Sequence, residues 1–74
     1  MSQDAFEDVE RLTRLLADPD AVVGLRAVAA LRRLVEVVER AQVARARASG
    51  MSWQQIADQL GVSRQAVHKK YGRG

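Results

Sequence analysis

The chain has no cysteine, one proline, one histidine, and one each of tryptophan, tyrosine and phenylalanine. Without cysteine there can be no disulfide and no thiolate zinc site, and a lone imidazole does not hold a metal by itself. Long apolar runs are also missing: nothing approaches the ~18 uninterrupted apolar residues of a membrane span. The start, Met1-Ser2-Gln3-Asp4, is polar and then acidic, unlike the basic-then-apolar pattern of a secretory signal. These absences point to a cytoplasmic chain with no membrane association. At 74 residues it makes one compact domain, whose core is marginal without disulfides, metal or a partner. What remains is close helix packing or a second copy of the chain. A substrate pocket is not expected at this size, so no catalytic residue, cofactor or metal is assigned.

What is present is helix-forming and unevenly charged. Ala, Val, Leu, Arg and Gln dominate, which favours helices over strands. The net charge of +3 is the sum of −4 over residues 1–20, +4 over residues 21–48 and +3 over residues 49–74. An anionic partner should therefore meet the C-terminal half, although Arg-rich helix faces are often merely solvated.

Residues 4–17 carry Phe6, Val9, Leu12 and Leu16 at helical spacing, with Leu15 beside them. Ser2 or Asp4 can cap this helix, and Glu7–Arg11 and Glu10–Arg14 have the spacing of favourable ion pairs. Its acids are thus explained as a solvated face rather than as a catalytic pair. Asp18-Pro19-Asp20 then marks a boundary: Asp18 fits an N-cap and Pro19 the first helical position. A long second helix should run to about Ala48. Val23, Ala27, Val28, Leu31, Leu34, Val35 and Val38 share one wide sector of it. Gly24 either admits the first helix closely or delays the regular helix to Leu25. The first helix can cover only part of the sector. Leu31, Leu34, Val35 and Val38 are therefore the expected dimer interface, with Arg32, Arg33 and Arg40 solvated or paired between chains. Gly50 is placed to end the helix in a left-handed conformation.

Beyond it, Ser52 and Gln55 have capping-box spacing, so a third helix starts at Trp53 with Ile56, Ala57 and Leu60 inward. Ala57 is small enough for two helices to cross closely. Gly61 falls where a tight turn needs positive φ, Val62 plugs the turn, and Ser63 can cap a fourth helix burying Ala66 wholly or in part, Val67 and Tyr71. The reading is all-α, about four helices: a helical dimerisation and packing segment over 1–50 and a helix-turn-helix segment over 51–74.

The stretch Ile56-Ala57-Asp58-Gln59-Leu60-Gly61-Val62-Ser63-Arg64-Gln65-Ala66-Val67 resembles the helix-turn-helix of bacterial transcription regulators. It is most similar to the homeodomain-like group, which includes sigma region 4, resolvase-type and Fis-type domains. The resemblance covers about 20 residues in detail. It departs at Lys70, where many members carry an apolar residue; Tyr71 can fill that packing role.

A helix-turn-helix places the start of its second helix in the major groove. Ser63, Arg64, Gln65 and His68 are then the base-contacting candidates: Arg suits guanine O6 and N7, and Gln suits adenine N6 and N7. Lys69, Lys70, Arg73, Arg45 and Arg47 suit phosphates, as do Gln54 and the amides near Ser52 at a helix start. Trp53 is read as packing on the second helix, and Tyr71 as core with its hydroxyl free for a phosphate. The implied partner is double-stranded DNA, bound by a homodimer acting as a transcription regulator on the nucleoid. An architectural DNA binder of low specificity and a protein-interaction module of the sigma-region-4 type are the competing readings.

Overall fold

The computed structural model of the chain describes residues 3–72, with side chains from Phe6 onward. Four helices and no strands occur among them: α1 Gln3–Leu15, α2 Ala21–Ala48, α3 Trp53–Leu60 and α4 Arg64–Tyr71. They fall into two compact units, Met1–Val38 and Glu39–Gly74, with the boundary inside α2.

In the first unit, α1 begins at Gln3, so Asp4 lies within the helix rather than capping it, and Ser2 is outside the described residues. Its end comes earlier than the periodicity predicts. The amides of Leu16, Ala17 and Asp18 bond three residues back, which tightens the chain out of the α-helix after Leu15. Arg11 pairs with Asp8 at 2.7 Å, not with Glu7. That exposed pair adds little stability.

The start of α2 also corrects the sequence reading. Asp20, not Asp18, is the N-cap: its carboxylate accepts from the Val22 amide at 2.9 Å, and its carbonyl accepts the first helical bond, from Gly24. Asp18 instead accepts from the Asp20 amide at 2.8 Å, which braces the cap, and Pro19 lies before the helix. The helix is regular through Gly24, and a Cβ at that position would meet nothing within 4 Å. Neither close approach nor a delayed start explains this glycine. Gly24→Ala is therefore expected to stabilise the chain by about 0.5–1 kcal/mol, because alanine loses less backbone freedom in a helix. A thermal melt that fails to rise would contradict this.

Within this unit Ala27 is the one buried residue among those described. The apolar stripe of α1 forms, but Phe6, Val9, Leu15 and Leu16 are exposed and only Leu12 is half-buried. Leu12 shares a groove with Ala30, Leu34 and Val37 of α2. Along α2, Leu31, Leu34 and Val38 are half-buried, whereas Val28 and Val35 are exposed.

The second unit holds the denser core. Val43, Ile56, Ala57 and Val67 are buried together, and Ala46, Met51, Trp53 and Tyr71 pack against them. The end of α2 thus supplies the third wall of the unit. That end is closed by the Gly50 amide on the Arg47 carbonyl and the Met51 amide on the Ala46 carbonyl, with Gly50 at φ 96°. This Schellman pattern satisfies carbonyls that the helix would otherwise leave bare.

Candidate nucleic-acid interface

The helix-turn-helix is built from local caps and one close crossing. The Ser52 hydroxyl accepts from the Gln55 amide while the Gln55 side chain accepts from the Ser52 amide, a complete capping box. At the other end of α3, Gly61 stands at φ 72° and both its amide and that of Val62 reach the Ala57 carbonyl. That left-handed turn is strained for any residue with a Cβ. Ser63 caps α4 through the Ala66 amide at 3.0 Å. Ala57 is fully buried between the helices, 0% exposed, as its small size predicts.

Val67 and Tyr71 turn inward and set the orientation of α4. At 100° per residue, Gln65, Ala66 and Lys69 then point the opposite way. His68 lies on one flank and Lys70 on the other, while Arg64 shares the angle of Tyr71 but stands at the open N-terminal end of the helix. All six are exposed. The burial expected of Ala66 is therefore overturned: it sits on the outward face, where a methyl group suits contact with a thymine methyl. Val62 and Leu60 are also exposed, because the turn and the end of α3 lie at the rim of a core closed by only three helices.

Several polar candidates are already engaged within the unit. Arg47 lies over the Trp53 ring, 4.4 Å from its centroid, and donates to the Met51 carbonyl at 2.9 Å. His68 meets the same ring edge-on, with centroids 5.5 Å apart and planes at 86°. Trp53, half-buried, is thus the packing residue expected, clamped between a cation and an imidazole. The Gln54 side chain donates to Asp58 at 2.8 Å. Since the Ser52 and Gln55 amides are used by the capping box, the Trp53 and Gln54 amides are those left to receive an anion at the start of α3.

The end of α4 is held in the same way. The Tyr71 hydroxyl donates a hydrogen bond to the Glu39 carboxylate, and Lys70 Nζ lies 3.5 Å from the same oxygen, Oε2. Lys70 also lies 5.5 Å from the Tyr71 ring centroid. Burial, the bond to Glu39 and the charge of that carboxylate push the Tyr71 hydroxyl above its ordinary range. That hydroxyl is therefore not free for a phosphate. Glu39 was invisible to sequence reasoning because its partners lie more than thirty positions away. Arg45 and Lys69 are exposed, and Arg73 lies outside the described residues.

Two short helices joined at a left-handed glycine and backed by a third define a helix-turn-helix, a DNA-binding class. The chain belongs to the homeodomain-like domain family, whose profile matches residues 34–72, more than half of its length. Among curated proteins and solved structures, nothing matches the chain. No described helix is long and apolar enough to cross a membrane.

Proposed function

We propose that the chain is a transcription regulator that reads duplex DNA with α4 in the major groove, as a homodimer on a two-fold site. The observation that carries this is the face of α4: Gln65, Ala66 and Lys69 point outward, with His68 on the flank and Arg64 exposed at the start of the helix, on a helix held by a buried core. Arg64 and Gln65 occupy the first turn, where side chains reach base edges. Ser63 adds its hydroxyl as a donor while its oxygen caps the helix. Lys69, Arg45 and the free amides of Trp53 and Gln54 take phosphates. The protein would act in the cytoplasm, on the nucleoid.

Selection from random DNA should return a palindromic motif. On that site Arg64→Ala should cost about 1–3 kcal/mol and relax the preference at one base pair. Wild-type affinity and specificity in this variant would refute the base contact. A selection that returns no motif would favour the architectural reading, and no binding even at low salt would favour a protein partner.

The homodimer is supported by the first unit. Leu31, Val35 and Val38 of the expected interface, with Val28 in place of Leu34 (which lies in the groove with Leu12), recur at alternating spacings of three and four, the seam of one helix packing along another. Val35 is 60% exposed and Leu25, a turn before Val28, is 70% exposed. A unit with so little buried surface gains most by covering this seam. A second copy also brings complementary charge, since α1 exposes Glu7 and Glu10 while α2 exposes Arg26, Arg32 and Arg33. Light scattering with and without selected DNA reads the stoichiometry directly.

A further inference from the structure

We propose that Ala66 is a specificity-determining residue that reads the C5 methyl group of a pyrimidine in the major groove. Thymine and 5-methylcytosine are then preferred at one position of each half-site over uracil and cytosine. This rests on the DNA-binding reading above, in which polar side chains carry the base contacts.

The direction of Ala66 is set by the core of the second unit. Val67 and Tyr71 turn inward. At 100° per residue, Ala66 lies about 120° from the direction midway between them. It shares the outward face with Gln65 and Lys69, and all three are exposed. It is also the third residue of α4, within the turn that enters the groove.

The chemistry of Ala66 narrows what it can contact there. Its side chain has no polar atom, and its amide is already taken by the Ser63 hydroxyl at 3.0 Å. A methyl group is what it has to offer a base edge. The one methyl group that a standard base pair presents in the major groove is that of thymine, at C5. Against a base amino or carbonyl group instead, the alanine methyl would displace water from a polar atom without replacing its hydrogen bond. A side chain of one carbon also lets the helix backbone approach the groove floor, where the C5 methyl projects. Cytosine carries only hydrogen at C5, and 5-methylcytosine restores the methyl. The chemistry read is therefore the methyl group itself, so methylation of cytosine at this position should strengthen binding.

The experiment takes the duplex obtained by selection and replaces each thymine in turn by uracil, which removes the methyl and keeps the base pair. Wild-type affinity should fall about fourfold per half-site at one position, the value of one buried methyl group. At that position, cytosine paired with guanine should bind about fourfold more weakly than 5-methylcytosine paired with guanine. Ala66→Gly and Ala66→Ser should bring both ratios close to one. Each ratio compares two duplexes on the same protein, so any loss of helix stability in the variant cancels.

Uniform wild-type affinity across all the uracil duplexes, or a selected site without thymine, would overturn the proposal even if the variants do not fold. So would a uracil penalty that stays undiminished in Ala66→Ser, because the methyl would then be read by a different side chain. Failure of the DNA-binding reading looks different: selection would return no motif, or the wild type would bind no duplex even at low salt, and the proposal would fall with it.

Discussion

Introducing glutamate at Val28 and Val35 together should convert a two-chain species into single chains. In the isolated chain Val35 is 60% exposed and Val28 37%, so the substitution costs little at Val35 and more at Val28. Across a packed seam they bring like charges together and remove the burial of four valine side chains. At about 1.5–3 kcal/mol for each fully buried side chain, even partial burial makes the loss at least about 4 kcal/mol. That is roughly a thousandfold in the dissociation constant of the dimer. Sedimentation or light scattering checks the mass. Affinity for the two-fold site should fall steeply while binding to a single half-site persists. Helix content should drop as well, because the first unit buries little besides Ala27. A wild type that stays monomeric at high micromolar concentration would sink the dimer and move the exposed stripe to a different protein partner.

Ile56→Ala should unfold the helix-turn-helix. Ile56 is 3% exposed and shares its cluster with Val43, Ala57 and Val67. Truncating such a side chain costs about 2–5 kcal/mol through lost burial and the cavity left behind. At about 0.05–0.15 kcal/mol per residue, a unit of this size has only a few kcal/mol of total stability. The substitution therefore consumes most of it. Trp53, the chain's one tryptophan, packs against this cluster and reports its loss by fluorescence. Leu60→Ala is the control: Leu60 is exposed at the rim and its truncation should shift the melt far less. Equal effects at the two positions would mean that the core is not where the structure puts it.

The two substitutions probe different levels of legibility. Ile56 and Ala57 read as core from spacing alone, and so did the capping box of Ser52 and Gln55, the Ser63 cap and the left-handed Gly50 and Gly61. These are local features, written within four or five residues of one another. Even here a neighbour can compete: Asp18 and Asp20 both suit a cap, and the first helical bond to the Asp20 carbonyl decides between them. Periodicity was a poorer guide to burial at the ends of helices. Ala66, Leu60 and Val62 continue an apolar pattern, yet three short helices cannot enclose their own rims.

The polar face was the least legible part. By residue type alone Arg47, Gln54, His68 and Lys70 all suit DNA, since a charged or amide side chain on a basic segment carries no local sign of its partner. Their partners come from folding: the Trp53 ring for Arg47 and His68, Asp58 for Gln54, and Glu39 for Lys70. The sequence by itself determined four helices, the N-caps of the last two and the turn between them, because each rests on interactions within a few residues. Only the tertiary structure decided which cations stay outward on α4 and which are held within the unit. That choice depends on distances between residues more than thirty positions apart, such as Glu39 and Tyr71, which no local pattern encodes.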